Sequence, residues 1–247
     1  MARIYTSGNY EALCQDAAHD LALKLEDAVM NYNFASIALC GGSTFARVYE
    51  LLATTFAYRV PWEGVHFFWA DERCVPPDDP ASSYGLARTW LLDRLPIAAG
   101  QVHRLRGEDN PVDEAQRYSA ELKRLFAGQL GRGPVAFNVV LLELGPDGHT
   151  AGLYPDSPAL LATEPCIAVE GPPGNEAALG LTLTLPVINA AKFVNFVVSG
   201  ADRAAALTAI LEKRRTAAHY PAALVQVPEP HLVYWYVDAA ANPHHIS

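Results

Sequence analysis

Apolar residues recur every four positions from Leu13 through Ala17, Leu21 and Leu25 to Val29, and the apolar run 36–40 (SIALC) follows. The first spacing is that of an amphipathic helix, the second that of a buried strand. The alternation then repeats. Stretches 65–70 (VHFFWA), 137–144 (FNVVLLEL), 192–199 (KFVNFVVS) and 232–237 (LVYWYV) read as strands, and helical patterns cover 44–56, 83–95, 112–126 and 202–211. This order predicts an α/β fold with a mostly parallel sheet covered by helices on both faces. Two further runs, 166–171 (CIAVEG) and 179–186 (LGLTLTLP), predict additional strands, antiparallel ones at an edge, with a Gly- and Pro-rich loop over 171–180 between them. With no internal repeat or linker, residues 1–247 form one domain, with 242–247 a frayed tail that leaves His244 and His245 in solvent.

Composition narrows the function classes. Half of the 247 residues are apolar or aromatic (51%), enough for a substantial core without disulfides or structural metals. The formal charge of −9, with no basic block, argues against a nucleic-acid partner and against an anionic membrane surface. An anionic substrate would therefore need a local cationic pocket, so arginines beside glycine loops become informative. Cys14, Cys40, Cys74 and Cys166 are scattered without CxxC or zinc spacing, as expected of reduced thiols. The stretch MARIYTSGNYEALCQD has no apolar signal core, and no run approaches a membrane span, so the expected location is the cytoplasm.

Ligands of open α/β sheets bind beyond the carboxyl ends of the strands, and four such loops carry chemistry. In CGGSTFARVYELL, Gly41 and Gly42 permit a tight turn, Ser43 or Thr44 can cap the next helix, and the helix N-terminus suits a phosphate. It is neither a GxGxxG nor a Walker loop. In FFWADERCVPP, Asp71, Glu72 and Arg73 follow an apolar run; Arg73 can grip phosphate oxygens, and Asp71 can orient a base or a substrate hydroxyl. In VVSGADRAAAL, Arg203 lies near the positive end of a helix, where it gains nothing from the dipole, which favours an anionic ligand there. In LLELGPDGHTAGLYPDS, His149 lies between glycine and threonine with Asp147 two residues before it. An imidazole titrating near neutrality can take a proton from water as a general base. Each loop also has a plain structural reading as cap, turn or surface ion pair. A serine hydrolase is disfavoured, since Ser43, His149 and Asp71 come without a GxSxG elbow.

Together, CGGST, WADERCVPPDDPASSYGLAR, LGPDGHTAGLYPDSPAL, LTLTLPVINAAKFVNFVVSGADRAAAL and PAALVQ…VYWYVDAAA resemble the 6-phosphogluconolactonase family, in the same order over roughly 37–241. The resemblance implies a Rossmann-like scaffold shared with glucosamine-6-phosphate deaminases. It also implies hydrolysis of 6-phospho-D-glucono-1,5-lactone in the oxidative pentose phosphate pathway. His149 would be the base, Asp147 or Asp71 would orient it, and the phosphate would rest on Gly41, Gly42, Ser43 and Thr44 with Arg73 and Arg203. A strained lactone carbonyl needs only an activated water and oxyanion stabilisation, so neither cofactor nor metal is implied. The alternatives are a sugar-phosphate isomerase or deaminase, and a sugar-phosphate binder without turnover. Against the first, GHTAGLYP continues as in the lactonases and not into the FNEP-type run of the deaminases. The second is motivated by departures from the family pattern, Ser83 where Asn is usual, Glu143 where glycine is and Gly180 where an arginine is; Phe45, where Pro is usual, is a further departure.

Overall fold

The computed structural model describes residues 2–129, 135–171, 178–228 and 232–242, with side chains omitted at 128 and 129; residues 243–247 of the predicted tail and the loop interior at 172–177 lie outside these residues, whereas Asn242, the first residue expected to fray, is buried, its N–H donating to the Asp238 carbonyl and its side-chain amide to the Thr6 hydroxyl. Its main sheet has six strands, all parallel, in the order β1 (Ala2–Ser7), β9 (Leu232–Asp238), β8 (Phe193–Val198), β5 (Val139–Leu142), β2 (Ala35–Leu39), β3 (Val65–Trp69). The central strands are buried along their whole length, as expected when helices cover both faces. Helix α1 (Tyr10–Tyr32) begins where the Asn9 side chain accepts a hydrogen bond from the Ala12 N–H, and ends at Asn33 in a left-handed conformation (φ 52°). Its apolar stripe packs on β1, β2 and β9 and on α2 (Ser43–Ala53). The remaining helices are α3 (Ser83–Trp90), α4 (Pro111–Gln129), α5 (Leu185–Asn189) and α6 (Ala204–Leu211).

The strands expected at the edge of the main sheet form a sheet of their own. Here β4 (Asp71–Arg73), β7 (Leu179–Leu183) and β6 (Cys166–Glu170) run antiparallel, backed by α4. The two sheets meet at Ala70, a single residue after β3, whose N–H donates to the Leu39 carbonyl and whose carbonyl accepts from the Leu183 N–H. Asp71, Glu72 and Arg73 are therefore strand residues crossing from one sheet to the other, in register with Thr182, Leu181 and Gly180.

Two elements escape the hydrophobic pattern. Strand β1 is an edge strand with mostly exposed residues, and Tyr5 contributes by stacking on Tyr236 (centroids 5.2 Å apart) instead of entering the core. Helix α5 is about one turn and a half, with Pro186 in its first turn, too short for periodicity to show. Phe45 is fully buried, stacked 5.8 Å from Tyr49, whose hydroxyl donates to the Cys40 carbonyl at 2.7 Å and accepts from the Cys40 N–H at 3.1 Å. The aromatic pair thus ties the start of α2 to the end of β2 and holds the intervening glycine turn.

Candidate active site

The four loops singled out above all leave the carboxyl ends of β2, β3, β5 and β8, the edge of the sheet where open α/β folds bind ligands. Between the small sheet and the loop after β5 lies a cleft of about 220 Å³, lined by Asp71, Arg73, Glu143, His149, Tyr154 and Gly180 among others.

The loop after β5 presents His149. The Gly145 N–H donates to the His149 carbonyl (2.9 Å) and the Gly148 N–H to the Gly145 carbonyl (3.0 Å), closing a tight turn in which Gly148 takes φ +84°. Gly145 is required sterically, since a Cβ there would lie 2.0 Å from His149 Nδ1. The Thr150 hydroxyl donates to the Glu143 carbonyl at 2.8 Å, and Tyr154 packs on the imidazole at 4.9 Å between ring centroids. Sequence left two carboxylates as partners for His149; the geometry puts Asp147 there, with Oδ1 2.5 Å from Nδ1 and also accepting the His149 N–H at 3.1 Å. Partial burial pushes the Asp147 carboxyl up, but the two hydrogen bonds from His149 outweigh it and leave its pKa below the ordinary value. A ring whose Nδ1–H is held by Asp147 carries its lone pair on Nε2, which has no hydrogen-bond partner among the described residues.

Asp71 does not touch His149. It is buried across the cleft, contacts the Cys40 thiol at 3.5 Å, and has a pKa raised by burial in spite of Arg73, Cys40 and His149 nearby. Arg73 lies over the glycine turn: a Cβ at Gly41 would come within 2.9 Å of its Nη1 and 2.5 Å of the Ser83 hydroxyl, which itself is 3.5 Å from that nitrogen. Ser83, where the expected pattern has Asn, thus contacts Arg73.

Glu72 was passed over by sequence reasoning as a site residue, and its role is structural. Its buried carboxylate accepts hydrogen bonds from the backbone N–H groups of Arg73 (2.8 Å), Ser83 (2.7 Å) and Tyr84 (2.8 Å) and from the Ser82 hydroxyl (3.0 Å). It anchors the start of α3, and with it Ser83, to β4. The signal was a carboxylate directly after a buried strand, which must find donors.

The expected cap on α2 is absent. Neither Ser43 nor Thr44 caps the helix; the cap position is Gly42, at φ +99°, and no side chain accepts from the first turn. The N-terminal amides of α2 are therefore left without a side-chain acceptor. Arg203 is not among the residues lining the cleft. It ends a short turn (Ala201–Arg203) before α6 and pairs with Asp202 at 2.5 Å, while its field still reaches Glu143. Gly180 stands opposite Arg73 in the ladder, so the position where an arginine was expected carries no charge.

A separate groove gathers Arg88, Arg104, Arg106 and Arg117, but each is paired with a carboxylate (Asp93, Glu108, Asp109, and Glu114 with Glu121), and these carboxylates outnumber the arginines. Among the described residues, no group of three or more His, Cys, Asp or Glu side chains is placed to hold a metal ion, and no helix is long and apolar enough to cross a membrane.

A sequence profile described as glucosamine-6-phosphate isomerases/6-phosphogluconolactonase matches residues 8–235. The chain belongs to that family. It is 41% identical over 225 residues to a 6-phosphogluconolactonase from a Nostoc strain, covering 90% of each chain. To the human 6-phosphogluconolactonase it is 39% identical over 233 residues, covering 93% of this chain and 87% of the other. The crystal structure of 6-phosphogluconolactonase from Thermotoga maritima superposes with a TM-score of 0.83 at 25% identity, covering 96% of this chain and all of the other. A monomeric glucosamine-6-phosphate deaminase shares the fold at 18% identity (TM-score 0.79).

Proposed function

We propose that the chain hydrolyses 6-phospho-D-glucono-1,5-lactone to 6-phospho-D-gluconate, the step that opens the lactone in the oxidative pentose phosphate pathway, with His149 as general base. Relatives named for this activity align over nine-tenths of the chain and supply the substrate. The observation that carries the residue roles is the His149–Asp147 pair at the mouth of a cleft that also holds Arg73 and Asp71. With Nδ1 bound to Asp147, Nε2 accepts a proton from water as its oxygen attacks C1. The tetrahedral oxyanion then collapses, the bond from C1 to the ring oxygen breaks, and the imidazolium returns its proton to that oxygen. Asp147 keeps the ring in the correct tautomer and stabilises the transient cation. The 6-phosphate rests on the uncapped amides of the Gly41–Thr44 turn beside the Arg73 guanidinium, with Arg203 contributing attraction at longer range. Asp71, with its raised pKa, is placed to meet a sugar hydroxyl across the cleft.

The test is a coupled assay of freshly made lactone, corrected for spontaneous opening. His149→Ala is expected to lose about 10²- to 10⁴-fold in kcat while binding 6-phosphogluconate as the wild type does. Wild-type turnover in that variant would remove the general-base role. Ammonia release from glucosamine 6-phosphate, with no lactone hydrolysis, would instead assign the deaminase activity of the shared scaffold.

A further inference from the structure

Among the described residues, Glu143 is the half-buried acid of the cleft that the mechanism does not use and the fold does not satisfy; the other unused acid there, Glu170, is exposed. It follows β5 immediately, and its backbone carbonyl is fixed by the Thr150 hydroxyl. The side chain reaches back over the glycine turn: a Cβ built on Gly42 would lie 2.5 Å from Oε2. Arg73 occupies the corresponding place over Gly41, so the two glycines carry a guanidinium and a carboxylate side by side. Yet Glu143 makes no ion pair with Arg73 and no side-chain hydrogen bond among the described residues, whereas Glu72 accepts four. A partly buried carboxyl without donors costs stability, so the fold gains nothing from it.

We propose that Glu143 limits how much negative charge the cleft accepts: its carboxylate, lying against Gly42 at the start of α2, competes with the substrate phosphate and shifts selectivity toward lactones of lower charge. This rests on the phosphate placement given above. Of the charged and titratable groups facing Glu143, Asp71 repels it, Arg73, His149 and Arg203 attract it, and its charge in turn pushes up the pKa values of Cys40, Tyr49 and Tyr154. Gly180, opposite Arg73, adds no compensating cation. Burial and Asp71 raise the Glu143 pKa. A dianionic phosphate arriving beside it raises that pKa further, so phosphate binding and protonation of Glu143 reinforce each other.

The experiment compares kcat/KM for 6-phosphogluconolactone with kcat/KM for unphosphorylated glucono-1,5-lactone, in the wild type, Glu143→Gln and Glu143→Gly. Removing one unit charge from beside the phosphate is expected to raise the ratio of the two values about tenfold in both variants, chiefly through a lower KM for the phosphorylated lactone. The wild-type KM for that substrate should also rise more steeply with pH than that of Glu143→Gln, because the acid is neutral at low pH and ionises as pH increases. A ratio that is unchanged or falls in both variants overturns the proposal. Should no form of the protein hydrolyse lactone above the spontaneous rate, the lactonase reading fails separately, and equilibrium binding of 6-phosphogluconate decides on Glu143. Tighter binding by Glu143→Gln supports its role, and equal or weaker binding refutes it.

Discussion

Replacing Asp147 by Asn keeps a carbonyl oxygen within reach of His149 Nδ1 but removes the charge, and so separates orientation from electrostatics. In the mechanism proposed above, the imidazole becomes a cation in the transition state, and its Nδ1 lies 2.5 Å from Asp147 Oδ1. With charge centres about 4 Å apart, Coulomb attraction is about 4 kcal/mol at an effective dielectric of 20 and about 1 kcal/mol in bulk water. The Asp147 side chain is 45% exposed, which places the figure toward the lower end, near 2 kcal/mol by order of magnitude. That corresponds to a loss of about 30-fold in kcat for Asp147→Asn. KM should move little, because the interaction strengthens only as the proton arrives. Since Asp147 acts through His149, the double variant Asp147→Asn/His149→Ala should be no slower than His149→Ala alone. The assay is steady-state hydrolysis of fresh lactone with the spontaneous rate subtracted. Activity of Asp147→Asn within twofold of wild type, or multiplicative losses in the double variant, would refute an orienting and charge-stabilising Asp147.

Three further outcomes are expected. Arg73→Ala should raise KM for the phosphorylated lactone more than Arg203→Ala does, because Arg73 lies over the glycine turn and Arg203 is held by Asp202; equal effects in steady-state kinetics would remove that ranking. Glu72→Ala leaves three backbone amides and a hydroxyl without an acceptor in a buried place, and should cost about 3 kcal/mol in denaturant unfolding; a loss under about 1 kcal/mol would mean that α3 is anchored elsewhere. The hydrogen bond from His103 holds the Glu121 pKa down to about 2, helped by Arg117. Such a depressed acid contributes stability that is complete above the ordinary Glu range and is lost as pH falls toward 2, so Glu121→Gln should flatten the acid limb of a stability-against-pH profile.

The parallel sheet was legible because its central strands are buried on both faces and leave apolar runs such as 37–40 and 139–142. The small sheet was legible as two strands but not as a separate layer. Its third strand is Asp71–Arg73, three charged residues whose backbone pairing with β7 no hydrophobic pattern can announce. His149 and Asp147 were legible together because their contact is local, two residues apart within one turn. The choice between Asp147 and Asp71 was not, since it depends on where β4 runs relative to the loop after β5. The cap expected from Ser43 or Thr44 failed for a related reason: Gly42 adopts φ +99°, and the helix begins one residue before its hydroxyls could serve it.

The triplet Asp71-Glu72-Arg73 shows why residue type alone misassigns such loops. Alternation along a strand sends neighbouring side chains to opposite faces. Asp71 and Arg73 therefore share the face toward Cys40 and Gly41, while the Glu72 carboxylate collects the amides that begin α3. A one-residue slip in the pairing of β4 with β7 would exchange these roles, burying an arginine among the α3 amides and presenting Glu72 to the substrate. The register is held from both ends, by the Ala70 carbonyl on the Leu183 N–H and by the Cys74 N–H on the Leu179 carbonyl. Glu72 is thus part of what aims the cation: it fixes Ser83 and the backbone of Arg73, and the arginine side chain then has the glycine turn on one side and the Ser83 hydroxyl on the other.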